Sequence, residues 1–167
     1  MYRTILVAYA TKHGSTREVA DTIAGVLRTD GYDVTVRPAA EVTELDDFEA
    51  VILGGALYTG RWHRDARRFL SRFRGELAAR RLAIFGMGPK TMSTEDVAGS
   101  RDQLGRALQS FPDLRPVTTE VFGGVIDPSR LRFPFSHMPA SDARDWRQIR
   151  RWATEVSAAF AAERAAV

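Results

Sequence analysis

The chain alternates short, continuous apolar runs with longer stretches in which apolar residues recur every three or four positions. Residues 4–9 read TILVAY, a run without polar alternation, as in strands covered on both faces. AVILGG at 50–55 and RLAIFG at 81–86 repeat that signature, and 117–126 hold a further strand. Residues 33–37 alternate and are stopped by Pro38. Between these runs the period changes to that of a helix. Val19, Ile23, Val26 and Leu27 share one face ahead of Gly31, a C-cap candidate. Ala66, Phe69, Leu70, Phe73 and Leu77 share another over 65–79, where Gly75 is expected to end or bend the helix. Two more helices are expected, one within 95–110 and one starting near Ser141 that turns Ile149, Trp152, Val156 and Phe160 inward. The acidic stretch 41–48 reads as a loop with a short helix.

Strands that alternate with helices, with no repeat and no linker, predict an α/β domain: a doubly wound, five-stranded parallel sheet covered by helices on both faces. The 167 residues form one domain, 1–167, large enough to bury roughly two-thirds of the surface its open chain exposes. The expected strand order is 2-1-3-4-5, with ligands at the carboxyl ends of the strands around the switch point.

At that edge the first strand runs into Thr11-Lys12-His13-Gly14-Ser15-Thr16 and a helix start. The first turn of a helix presents free N–H groups and the positive end of its dipole. Thr11, Ser15 and Thr16 add hydroxyls, Lys12 adds charge, and Gly14 permits a positive φ. A terminal phosphate suits such a turn; so does a plainer arrangement in which Ser15 is an N-cap and Glu18 completes a capping box. Neither the Walker pattern nor the three-glycine dinucleotide fingerprint is present. The next strand ends lead into residues 54–63, GGALYTGRWH, and 86–89, GMGP. Paired glycines bring backbone close to a flat ligand, whose faces Tyr58, Trp62 or Met87 would cover.

The first turn resembles the phosphate loop of flavodoxins, with His13 where that family usually has another hydroxyl residue. Gly55-Ala56-Leu57-Tyr58-Thr59-Gly60-Arg61-Trp62 before an Arg/Phe-rich helix, together with Phe122-Gly123-Gly124 and Asp145-Trp146, resembles the flavodoxin-domain proteins related to menaquinone-dependent protoporphyrinogen oxidase. The likeness spans nearly the whole chain and implies a flavodoxin-like fold with FMN as cofactor. It places the phosphate at Thr11, Lys12, His13, Gly14, Ser15 and Thr16. It places the isoalloxazine between Ala56, Leu57, Tyr58, Thr59, Gly60 and Trp62 on one side and Gly86, Met87 and Gly88 on the other. Gly60 becomes the candidate for a peptide that reorients on flavin reduction. Two features depart from the relatives: Met87-Gly88-Pro89 holds no stacking tyrosine, and 127–140 is shorter than in the oxidase subgroup.

The implied function is an FMN-dependent oxidoreductase acting on a quinone or protoporphyrinogen-like substrate, with no catalytic side chain because the flavin carries the chemistry. A flavodoxin-like one-electron carrier and a flavin-free binding module are the alternatives. A response-regulator receiver, which shares the topology, would need acidic residues where this chain has Ala10-Thr11 and Gly54-Gly55.

Composition narrows the partners. Cysteine is absent, so disulfides, thiolate metal sites and cysteine nucleophiles are excluded. Of the 24 basic residues only Lys12 and Lys90 are lysines, and the net charge is just +3. Arg61, Arg64, Arg68 and Arg72 recur at helical spacing, as a solvated face or as a dock for an anionic substrate or redox partner protein. No nucleic acid is expected, because aromatic platforms are lacking beside them. No run reaches membrane-span length and the amino terminus is no signal peptide, so a cytoplasmic location is expected. Leu131-Arg132-Phe133-Pro134-Phe135-Ser136-His137-Met138-Pro139 is unusually apolar for a connection. It would pack on the core, cover the flavin, receive a quinone or touch a membrane surface, with His137 as its titratable group near neutral pH.

Overall fold

A computed structural model describes residues 4–58 and 60–165. Strands β1 (Thr4–Ala10), β2 (Asp33–Pro38), β3 (Ala50–Tyr58), β5 (Arg81–Met87) and β6 (Thr118–Phe122) form a parallel sheet in the order β2-β1-β3-β5-β6. This is the expected doubly wound order. A short β4 (Arg61–Trp62) folds back antiparallel on β3.

The pleat of β1 divides the core. Ile5, Val7 and Tyr9 face helices α1 (Ser15–Thr29) and α5 (Trp146–Ala165), where they meet Val19, Ile23, Trp152 and Phe160. Leu6, Ala8 and Ala10 face the layer of α2 (Arg64–Arg72), α3 (Arg74–Ala78) and α4 (Thr94–Leu108), where they meet Phe69, Leu70, Leu77 and Leu104. Burial of both faces explains why these strands read as continuous apolar runs.

Local boundaries depart from expectation in four places. β3 continues to Tyr58 and turns back as a hairpin, because Leu57 and Tyr58 find partners in Trp62 and Arg61. The helix expected over 65–79 breaks at Phe73 (φ −104°, ψ 19°), not at Gly75, and Phe69, Phe73 and Leu77 all keep their places in the core. The fifth parallel strand stops at Phe122; after Gly123-Gly124, β7 (Val125–Ile126) pairs antiparallel with β8 (Ser141–Asp142). The last helix therefore starts at Trp146 rather than near Ser141, with the Asp145 carboxylate accepting from the N–H groups of Arg147 and Gln148 at 3.0 and 3.2 Å. No helix among the described residues is long and apolar enough to cross a membrane.

Candidate functional site at the strand ends

Parallel register assembles the site. Ala10 lies beside Gly55, Gly55 beside Gly86, and Met87 beside Phe122, so the segments leaving β1, β3, β5 and β6 emerge side by side.

The first segment is a left-handed turn. Gly14 has φ +89°, which a residue with a Cβ adopts only with strain, and its N–H donates to Thr11 Oγ1 at 3.0 Å. Gly14 therefore occupies the N-cap position and Ser15 is already helical. No side chain caps α1, and Glu18 instead accepts a 2.7 Å hydrogen bond from Arg144. The capping box does not form. Thr16, in the first turn, is fully buried, and its Oγ1 has no hydrogen-bond partner. A buried, unsatisfied hydroxyl costs about 1–3 kcal/mol, a penalty that a bound oxyanion would relieve. Orphan hydroxyl, left-handed glycine and helix N-terminus together fit a phosphate group.

The second segment is the β3–β4 hairpin. Tyr58 is 38% exposed and shares the rim with the first turn: Lys12 Nζ lies 5.9 Å from its ring centroid and the His13 ring 6.3 Å away, edge-on. Burial raises the Tyr58 phenol above its ordinary pKa, keeping it neutral and able to donate. Gly60 holds φ +82° at the tip, and Thr59 lies outside the described residues. Trp62 is buried at 1% exposure, and its indole N–H donates to the Gly55 carbonyl at 2.9 Å. A Cβ on Gly55 would come within 2.7 Å of that nitrogen, so the glycine makes room for the tryptophan beneath the site. Met87 is likewise buried, packed with the core on the α1/α5 side. Of the three side chains that would cover a planar ligand, Tyr58 alone stands at the surface. Trp62 and Met87 support the loops from below.

The third segment, Gly86-Met87-Gly88, packs against the hairpin. A Cβ on Gly88 would lie 2.8 Å from that of Leu57. Ala56 is buried and Leu57 half-buried between these segments.

A fourth segment joins them that sequence reasoning left out of the site. Gly88 N–H donates to Phe122 O at 3.1 Å, Gly124 N–H to Pro89 O at 2.9 Å, and Ala143 N–H to Gly124 O at 3.0 Å. Arg144 then crosses to α1, reaching Glu18 Oε2 at 2.7 Å and Ser15 O at 3.5 Å, with Asp142 at 2.8 Å and its guanidinium stacked 4.8 Å from the Trp146 ring. The hydrogen bonds from Arg144 hold the Asp142 carboxyl below its usual range. The Asp142-Ala143-Arg144-Asp145 run was the available signal: opposite charges so dense ahead of a helix start find one another as partners.

His63 closes the hairpin. Its Nδ1 accepts from Asp65 N–H at 3.0 Å and caps α2, and desolvation lowers its pKa from 6.5, with Asp65 opposing and neighbouring cations assisting. The folded chain binds this proton less tightly than the open chain does. The cap's stability is therefore complete above about 6.5 and is lost as the pH falls through the lower folded value. Urea unfolding at pH 7.5 and 5.0 should show a larger acid-side loss in the native protein than in His63→Asn, which keeps a capping acceptor but does not titrate. Equal losses would remove His63 from the effect.

The apolar connection forms two short turns, Pro128–Arg130 and Phe135–His137, and leaves Phe133 79% exposed, 5.6 Å from the His137 ring. Among the described residues no group of three or more His, Asp or Glu side chains is placed to hold a metal ion.

A search of curated proteins by sequence found no match. Solved structures with the same architecture include oxidised flavodoxin 1 from Bacillus cereus (19% identity, 92% of this chain and 96% of that one, TM-score 0.61). A mutant flavodoxin from Pseudomonas aeruginosa is 18% identical over 94% of this chain and 98% of that one (TM-score 0.61). Rubredoxin oxygen:oxidoreductase from Desulfovibrio gigas is 16% identical over 95% of this chain and 36% of that one (TM-score 0.64). At such identities the likeness is one of fold. The model of the family described as "Flavodoxin domain" matches residues 6–138. That match takes in β1, the left-handed turn, the hairpin and the glycine segments alike, and the chain belongs to the flavodoxin domain family.

Proposed function

We propose that the chain binds FMN at the strand ends and acts as an FMN-dependent oxidoreductase. The observation that carries the reading is the buried, unpartnered Thr16 hydroxyl in the first turn of α1. Thr11 holds Gly14 in its left-handed conformation, Ser15 and Thr16 offer hydroxyls, and Lys12 and His13 stand at the rim of the same turn. Ala56, Leu57, Tyr58 and Gly60 would flank the ring from the hairpin and Gly86 and Gly88 from the facing segment. Trp62 and Met87 would hold both in place from the core, and Thr59 completes the hairpin in sequence. When bound, FMN would supply the electron or hydride chemistry; the protein supplies position, water exclusion and charge.

The same fold serves in flavodoxins and forms part of an oxygen:oxidoreductase, so the fold alone does not choose between carrier and enzyme. The exposed Phe133 and the apolar 131–139 connection support a quinone or protoporphyrinogen-like substrate; the half-exposed Tyr58 rim supports a one-electron carrier that meets a redox partner protein. Visible absorption of the purified protein, recorded after FMN addition and desalting, tests the cofactor. Retained flavin bands are expected, and a protein that stays colourless would overturn both readings in favour of a flavin-free binding module. Reductive titration then separates them: uptake of an electron pair in one step supports the enzyme, two resolved one-electron steps the carrier.

A further inference from the structure

Beside Gly60 a groove of about 710 Å³ runs between α2 and α4. Its walls carry Arg61 from the hairpin, Arg64, Arg67 and Arg68 from α2, and Arg106 with Gln103 from α4. Helical spacing puts them there: 64, 67, 68 and 71 share one face of α2, and 103, 106 and 107 share one face at the end of α4, with Ser110 just beyond it. No acidic residue lines the groove.

These guanidiniums lack counter-charges. Arg61, Arg64, Arg68 and Arg106 are exposed and make no hydrogen bond or ion pair among the described residues, and Arg67 gives only its Nε, to the Trp62 carbonyl at 3.1 Å. Two arginines nearby do find partners. Arg72, from the same helical stripe, turns to the carbonyls of Val42 and Thr43 at 3.4 Å, and Arg74 is paired with Asp113. The groove thus gathers five permanent positive charges, more than the whole chain's formal +3. Like charges that line one groove repel one another, and a bound polyanion offsets that repulsion.

We infer that this groove is the binding site for a small polyanionic molecule carrying two or more carboxylate groups, held by bidentate guanidinium contacts next to the hairpin tip. Concavity favours a small molecule over the acidic face of a protein. The volume lies in the range of about 300–1,000 Å³ typical of small-ligand clefts, and the lining arginines come from three elements, the hairpin, α2 and α4. That the ligand is the substrate rests on the redox reading above; that it binds does not.

The test is calorimetric titration of the FMN-treated protein with citrate and with benzene-1,3,5-tricarboxylate in low-salt buffer. Saturable binding is expected, and Arg68→Ser/Arg106→Ser should weaken it tenfold or more. A control with the same change in net charge, Arg115→Ser/Arg151→Ser, should stay within twofold of the native protein. Equal weakening in both double variants would reduce the effect to overall charge and overturn the site. So would absence of saturable binding by either tricarboxylate, including the case where a labelled polyglutamate peptide binds in their place. A protein that loses FMN on desalting but binds the tricarboxylates retains the groove and loses the cofactor reading; the opposite pattern retains the cofactor and loses the groove.

Discussion

Exchanging Thr16 for valine is expected to weaken FMN retention by about 10- to 100-fold while leaving the protein as stable as before or slightly more so. The two effects have opposite signs for one reason. Valine has the shape of threonine without its hydroxyl, and that hydroxyl is fully buried with no partner, so its removal relieves a desolvation penalty in the unliganded chain. In the complex the same hydroxyl would face a phosphate, and a hydrogen bond to a charged group contributes about 1.5–3 kcal/mol, or one to two decades of affinity. Equilibrium dialysis against FMN and urea unfolding of the unliganded protein measure the two sides. Unchanged FMN affinity would exclude Thr16 as a phosphate ligand, and lower stability would show that its hydroxyl is satisfied in solution.

The second large effect concerns stability. Gly54→Val should destabilise the fold by about 3 kcal/mol or more, lowering the melting temperature by roughly 6–12 °C. A Cβ at Gly54 would lie 1.9 Å from Phe85 Cζ. The Phe85 ring has nowhere to retreat, because Phe122 and Trp152 pack against it with centroids at 5.5 and 5.8 Å, and Trp152 is itself anchored by donating to Thr118 Oγ1 at 3.2 Å. Against a total stability of about 5–15 kcal/mol such a loss is large. Thermal and urea unfolding would check it, and a loss under about 1 kcal/mol would mean that the ring cluster repacks more freely than its contacts imply.

Gly54 also shows what a sequence hides. Paired glycines before the hairpin read as an approach to a flat ligand, yet each one faces the protein itself: Gly54 faces Phe85, and Gly55 faces Trp62 and Ala66. Both contacts are made between residues brought together by folding, so no local pattern announces them. The same holds for Trp62 and Met87, whose position at strand ends suggested cover for a ring and whose side chains the core takes instead.

The alternation of apolar runs and helical periods determined the layer architecture and the five parallel strands, because a strand buried on both faces tolerates no polar alternation and its crossovers must be helical; the order 2-1-3-4-5 was an expectation that the sheet bears out. The composition of residues 11–16 determined that a hydroxyl-rich, glycine-containing turn opens the first helix. Tertiary structure decided which end of that turn carries the cap, giving Gly14 the left-handed position and sending Glu18 across to Arg144. It also decided that Gly124 and Ala143-Arg144 join the site, through β7–β8 pairing and the Gly124–Pro89 hydrogen bond, and that the arginines of α2 share a groove with Arg106 of α4. Periodicity reports which face of an element is buried. It carries no record of what stands opposite, because that depends on long-range packing between segments that lie far apart in the chain.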